Sequence, residues 1–374
     1  METHGYGQVM AELDRYFGTT EIKANPTGFF RVENVNDRWW FITPQGHGFL
    51  SLGVNHIDSS ALKYPDNIDV WKQNYSSEQD FLQRCVRADL TEWGFNTIGW
   101  TQEMGVRFLD HSIPWPHSSY VDANLPYCHL IRFTSMEMWN KDFSIPDVYG
   151  TDFENWCDFQ ARQVCPDMAE DPNLIGYFYS DIPAWNSSRH GRPWMDRFEI
   201  ETESGRSKFR ETAGRYYQVI HDAIRRYDKN HLLLGDRYNG NPGIPDEILM
   251  AAKDSVDVIS IQHFNTLDQF VENSRHYYKI TGKPIINADV GFHIRPFGKE
   301  EPHGVKTQAE RGQAYAKWAG ACFDEPHFIG WHWCAYIANK VRMAGLKDGN
   351  NKPYTEAVDL IREFNRTLYN RVGR

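Results

Sequence analysis

Short apolar runs that stop at a polar or charged residue recur along this chain, with amphipathic segments between them. The clearest is Leu174-Ile175-Gly176-Tyr177-Phe178-Tyr179, opened by the turn Asp171-Pro172-Asn173 and closed by Ser180-Asp181. Such a run predicts a strand buried on both faces, as in a parallel sheet, with its C-terminal end delivering a side chain to a site. Lys283-Pro284-Ile285-Ile286-Asn287-Ala288-Asp289 repeats the design and again ends on an aspartate.

The same reading extends over the chain. Residues 28–50 predict a hairpin: Phe29, Phe30 and Val32, a turn at Asn36-Asp37, then Trp39 to Ile42 and a second turn at Pro44-Gln45-Gly46. Buried strands are expected over 48–56, 95–100, 127–133, 174–181, 231–237, 256–263, 284–289 and 328–333. Helical spacing of apolar residues predicts helices over 78–93, 153–168, 209–227, 246–253, 267–280 and 307–323. A last helix carries Val358, Ile361, Phe364 and Leu368.

Eight strands alternating with helices, without a composition break or linker, predict a single (β/α)₈ TIM barrel over residues 1–374. Residues 1–47 are expected to form an N-terminal extension and β-hairpin capping the barrel. The rival is a doubly wound open sheet, which would carry a Gly-rich phosphate loop after its first strand, and none is present.

Composition narrows the function. A net charge of -10 without any Lys/Arg-rich run argues against a nucleic-acid partner, because phosphate binding needs a concentrated basic surface. No run of about 18 apolar residues exists, so no membrane span is expected. Aromatic residues make up 14%, an excess that suits both a rich core and a cleft that stacks on sugar rings. Cys85, Cys128, Cys157, Cys165, Cys322 and Cys334 are scattered without zinc spacing and are expected as free, mostly buried thiols. The 15 histidines show no His-Glu-x-x-His pattern, so neither a catalytic metal nor another cofactor is expected. Met1-Glu2-Thr3-His4-Gly5 opens no basic-then-apolar leader, so a cytoplasmic location is expected; a trimmed secreted or periplasmic form would read the same.

In a barrel the fourth and seventh strands lie across the mouth from each other, so Asp181 and Asp289 are expected to face one another. Glycoside cleavage needs two such carboxyl groups, one protonated to donate to the leaving oxygen and one ionised to attack the anomeric carbon or activate water. Asn55 and His56 end the first strand, Trp100 and Glu103 follow the second, Asp236 and Arg237 end the fifth, and Gln262 and His263 end the sixth. His293 and Arg295 lie in the loop after Asp289. Each suits a hydrogen bond to a sugar hydroxyl and equally a structural one. Glu103 is the reserve acid. Trp331 and Trp333 share a parity on the eighth strand, which places both toward the barrel interior in this reading. Arg189, His190, Arg192, Trp194 and Arg197 form a basic loop after the fourth strand, either solvated or suited to a sulfate or carboxylate on an algal sugar.

Several of these stretches carry a resemblance. They are Trp39-Trp40-Phe41-Ile42-Thr43-Pro44-Gln45-Gly46, Asp171-Pro172-Asn173-Leu174-Ile175-Gly176-Tyr177-Phe178, Leu234-Gly235-Asp236-Arg237, Val256-Asp257-Val258-Ile259-Ser260, Lys283-Pro284-Ile285-Ile286 and Leu346-Lys347-Asp348-Gly349-Asn350. Over almost its whole length the chain resembles clan A glycoside hydrolases, and within them the agarase-like enzymes of family 50. The resemblance implies an Asn-Glu pair ending the fourth strand, the Glu being the acid/base, and a nucleophilic Glu ending the seventh. Here the aligned residues are Asp181-Ile182 and Asp289, so the first Glu is absent and the second is one methylene shorter, roughly 1.5 Å of reach. The resemblance also implies an aromatic floor under the reacting sugar, a place for one of Trp331 and Trp333.

Three arrangements follow. Shorter carboxylates widen the gap for an inverting acid and base, or the backbone compensates and Asp289 remains a nucleophile, or the barrel binds sugar without cutting it. The expectation is a glycoside hydrolase on galactan-type oligosaccharides, agar-like or related, exo-acting, with Asp181 and Asp289 as catalytic pair. The alternatives are a non-catalytic sugar-binding barrel and a retaining glycosidase or transglycosidase on another β-linked glycan. An oligosaccharide is the expected partner, and a homo-oligomer is compatible with the sequence.

Overall fold

A computed structural model describes residues 11–104, 112–134, 145–186, 192–262, 265–294, 303–339 and 343–372. Four strands come first: β1 (Thr19–Lys23), β2 (Arg31–Val35), β3 (Arg38–Ile42) and β4 (His47–Phe49). They form an antiparallel sheet in the order β1-β4-β3-β2. Asn36 and Asp37 turn β2 into β3 with φ of 54° and 61°, the left-handed region that Asn and Asp tolerate best among side-chain-bearing residues.

Strand β5 (Ser51–Asn55) opens the barrel. Short helices α1 (Ser60–Lys63), α2 (Ile68–Asn74), α3 (Glu78–Phe81) and α4 (Arg87–Glu92) lead to β6 (Thr97–Ile98), with a π-turn at Leu82–Val86 joining α3 to α4. A separate hairpin, β7 (Gln102–Met104) with β8 (Ser112–Pro114), precedes α5 (His117–Ala123) and β9 (Tyr127–Leu130). Then the alternation becomes regular: α6 (Thr151–Met168), β10 (Leu174–Asp181), α7 (Glu203–Tyr227), β11 (Leu232–Asn239), α8 (Asp246–Ala252), β12 (Ile259–Gln262), α9 (Leu267–Thr281) and β13 (Ile285–Val290). A small pair, β14 (His293–Ile294) with β15 (Gly304–Val305), precedes α10 (Gln308–Asp324), β16 (Phe328–Cys334) and α11 (Thr355–Thr367).

The strands close as β10-β11-β12-β13-β16-β5-β6-β9, every neighbouring pair parallel. This is the expected (β/α)₈ barrel. Its expected N-terminal hairpin is a full four-stranded sheet, because β1 pairs with β4 on the side away from β2. Phe30, Phe41 and Phe49 of this region cluster with Ile175, Leu232 and Ile329, the opening residues of barrel strands. The sheet therefore plugs the N-terminal end and leaves the opposite mouth to the site.

Inside, His332 is fully buried and its Nε2 lies 2.8 Å from Ser51 Oγ. Gly53 makes room for that ring: a Cβ there would stand 2.4 Å from His332. A second, larger apolar layer lies between the barrel and its helices, including Tyr177, Tyr216, Trp318, Trp331 and Trp333. None of the six cysteines forms a disulfide, and all but Cys334 are buried.

Candidate active site

The C-terminal ends of the strands carry a connected polar layer. In Cα register Asp181 of β10 lies beside Arg237 of β11, and Gln262 of β12 beside Asp289 of β13. Arg237 is fully buried, its guanidinium carbon 4.4 Å from the Trp100 ring centroid and 5.6 Å from that of Phe178. One terminal nitrogen donates to Asp181 Oδ1 at 2.5 Å. The other donates to the carbonyl of Ala288 at 2.8 Å and lies 3.4 Å from Asp289 Oδ2. Gln262 Nε2 donates to the same Asp181 Oδ1 at 2.7 Å and to the Arg237 carbonyl at 3.0 Å. Asn55 Nδ2 donates to the Ala288 carbonyl at 2.8 Å.

One buried cation thus spans two strand-end carboxylates. A planar guanidinium is rigid, so these two contacts keep the bonded oxygens of Asp181 and Asp289 within about 8 Å of each other. That admits both the roughly 5–5.5 Å of retaining and the roughly 6.5–9.5 Å of inverting pairs. Among the described residues both side-chain donors to Asp181 address Oδ1. Side-chain exposure is 28% for Asp181 and 15% for Asp289, while Arg237 has none, so the carboxylates form the accessible surface and the guanidinium their support.

The other predicted residues divide. Asn55, Trp100, Arg237 and Gln262 join this layer. His56, directly after β5, holds φ of 55° and packs its ring edge-on against Trp100 at 4.8 Å. Asp236 does not reach the mouth. Leu232 and Leu234 face the interior, and the alternation breaks at Gly235, whose φ of 68° turns Asp236 outward; there it accepts from Ser180 Oγ, Trp185 Nε1 and the hydroxyls of Tyr216 and Tyr217, and burial raises its pKa to about 6. Trp331 and Trp333 share a parity as expected, but it is the outward one, since His332 takes the interior. Trp331 Nε1 donates to Tyr315 of α10 and Trp333 Nε1 to the Ala344 carbonyl, so neither forms a floor for a sugar. Glu103 is exposed on the β7–β8 hairpin, and His293 lies on β14.

His263, Arg295, Arg189 and His190 lie outside the described residues. Of the basic loop, Trp194 is buried edge-on against Trp185, and Arg192 pairs with Asp196. Ile182, at the position of the Glu that the resemblance implies, is buried with φ of 47°, its amide bonded to the Arg237 carbonyl. That conformation is a genuine outlier for a β-branched side chain.

One residue escaped the sequence reading. Cys334 ends β16, and its Sγ, a carboxylate oxygen of Asp289 and a ring nitrogen of His56 lie within 4.8 Å of one another. The shared parity of His332 and Cys334 was the only sequence signal for this. Linear spacing hides a triad whose members sit at the ends of three different strands.

No protein-family model matches the chain. In sequence it is similar to Beta-agarase B of Vibrio sp. (strain JT0107), 19% identical over 93% of this chain and 49% of that protein. It is also similar to Beta-agarase A of the same strain, 24% identical over 93% of this chain and 46% of that protein. The chain therefore spans about half the length of the curated relatives it matches. Among solved structures, that of an exo-beta-agarase superposes with a TM-score of 0.76 at 17% identity, covering 97% of this chain and 68% of that one. The resemblance to agarase-like enzymes thus holds in sequence and in fold.

Proposed function

We propose that this chain is a glycoside hydrolase acting on agar-type galactan oligosaccharides, with Asp181 as acid and Asp289 as base or nucleophile. One observation carries the reading: the barrel mouth presents two partly exposed carboxylates from opposite strand ends, tied to a common buried guanidinium. Fixing both through one rigid group supplies the preorganisation that acid–base chemistry on a single bond requires. Similarity to two beta-agarases selects agar-type galactan among β-linked glycans, and the fold of an exo-beta-agarase supports attack from a chain end. The seat of the expected Glu is closed to that role by the buried Ile182, which leaves Asp181 as the nearest candidate acid on that strand.

The test is product release from agar, carrageenan, other galactan and common β-linked oligosaccharides, with Asp181→Asn and Asp289→Asn beside the parent chain. Cleavage of agar-type oligosaccharides, reduced at least about 100-fold in each variant, supports the pair. The anomer released first then assigns inversion or retention. Full activity in either variant, or binding of an oligosaccharide without cleavage, overturns the assignment.

A further inference from the structure

We propose that Cys85 and Lys347 form an oxidation-dependent cross-link, in which one oxygen atom bridges the cysteine sulfur and the lysine nitrogen. The two residues stand 262 positions apart, yet Lys347 Nζ donates to Cys85 Sγ at 3.2 Å. That separation is longer than a direct S–N bond and approaches the span of one bridging atom.

The pair is held on both sides. Lys347 forms β-bridges with Ile337 and Pro353, and its backbone is bonded to Tyr336 and Ala338 at 3.0 and 2.7 Å, so its side chain has a fixed root. Its ammonium also donates to Asp89 Oδ2 at 2.7 Å and lies 5.2 Å from the Tyr336 ring centroid. Cys85 lies on the π-turn Leu82–Val86 and Asp89 on α4, four residues further, so sulfur and carboxylate meet the ammonium from one helical face. The Tyr336 hydroxyl stands 3.1 Å from the sulfur and donates to Asp89.

These neighbours suit the chemistry. An adjacent ammonium favours the thiolate, the form that attacks a peroxide. Asp89 Oδ2 accepts from the ammonium and lies 3.6 Å from the sulfur, so a base stands beside both groups that must lose protons. The sulfur first takes an oxygen from hydrogen peroxide, giving a sulfenic acid and water. A second peroxide then drives formation of the N–O bond, with two more waters released. In sum, thiol, ammonium and two hydrogen peroxides give the N–O–S bridge, three waters and one proton. Sulfur and nitrogen each lose two electrons, and the two peroxides take up all four. The Asp89 side chain is 23% exposed and that of Lys347 only 5%, so a small oxidant enters beside Asp89. Cys85 itself is buried, which keeps out a bulky thiol that would otherwise cap the sulfenic acid.

The cross-link falls at the seam of the barrel. Cys85 follows β5 and Lys347 follows β16, the first and last barrel strands, which pair with each other. A bond there closes a very long loop and restricts the unfolded chain. It uses none of the residues at the mouth and does not rest on the hydrolase reading.

The test treats the reduced full chain with hydrogen peroxide and maps its peptides by mass spectrometry without reductant. Expected is a linked pair of peptides carrying Cys85 and Lys347, heavier than their sum by one oxygen and lighter by two hydrogens. Excess dithiothreitol returns the free peptides. The urea midpoint of the full chain rises on oxidation and falls back on reduction. Cys85→Ser keeps the shape of the side chain and loses both the linked pair and the rise. Lys347→Arg keeps a cation beside Asp89, in a guanidinium that does not form the bridge, and loses both as well. Circular dichroism establishes that each variant is folded. Cys85 oxidised to sulfinic or sulfonic acid beside an unmodified Lys347 overturns the proposal. A linked pair without the added oxygen, or one that survives in Lys347→Arg, does the same.

Discussion

The guanidinium of Arg237 lies 4.4 Å over the ring of Trp100 and, from that position, donates to the carboxylate of Asp181. Stacking fixes the plane of the fork, and the fork fixes the carboxylate. Lysine offers one ammonium in place of two directed donors and cannot stack in this way. Arg237→Lys should therefore lower activity on agar-type oligosaccharides by at least about 10-fold with a smaller loss of stability. Arg237→Gln, which removes the cation that bridges Asp181 and Asp289, should cost about 3 kcal/mol or more. Urea unfolding and initial rates measured on both variants check this. Unchanged rates in Arg237→Lys would show that the bridge does not position the carboxylates.

Trp331 and Trp333 give the converse expectation. Both are fully buried against the helical layer, their ring nitrogens bonded to Tyr315 and to the Ala344 carbonyl. Trp331→Phe and Trp333→Phe each remove one hydrogen bond and some packing, so each should lower stability by about 1–3 kcal/mol. The KM for oligosaccharide should stay within about twofold. A large rise in KM with little change in stability would return one of these rings to the sugar site.

The contrast shows what the sequence makes legible. Strand 174–181 is readable residue for residue because a turn opens it and a carboxylate, followed one residue later by Pro183, closes it. Parity is not readable. Strands of a parallel barrel are apolar on both faces, so β16 alternates Trp331, His332, Trp333 and Cys334 without marking which side is interior. Asp236 and Arg237 are adjacent and both charged, yet one faces α7 and the other the mouth. Only the space that Gly53 leaves for His332 settles such a choice, and that is a tertiary fact. Distance in the chain likewise conceals His56, Asp289 and Cys334 from any spacing rule.

Buried histidines make the fold sensitive to acid. Burial lowers the pKa of His129, His303 and His327 to about 4, and burial with the nearby Arg237 charge lowers that of His332 to about 3. A base with a depressed folded pKa contributes stability that is present above its unfolded value, about 6.5, and is lost as pH falls toward the folded value. The urea midpoint should therefore drop steadily from pH 6.5 to about pH 4. A flat or rising midpoint across that window would mean that these rings are not held neutral in the folded chain.

Asp236 acts in the opposite sense. Its carboxylate accepts from Ser180, Trp185, Tyr216 and Tyr217, yet burial outweighs these bonds and raises its pKa to about 6. An acid whose folded pKa is raised contributes stability that is present below its unfolded value, about 3.9, and is lost as pH rises through about 6. At neutral pH that loss amounts to about 3 kcal/mol. Asp236→Asn removes the titration while keeping the shape and one acceptor. Between pH 4 and 6 the parent chain should therefore gain stability relative to Asp236→Asn as the solution is acidified, even while both lose stability through the histidines. Asp236→Ala leaves several buried donors without their acceptor and should cost more than about 3 kcal/mol at every pH. Unfolding curves for the parent and the Asn variant that stay parallel from pH 4 to 7 would show that Asp236 titrates as it does in the unfolded chain.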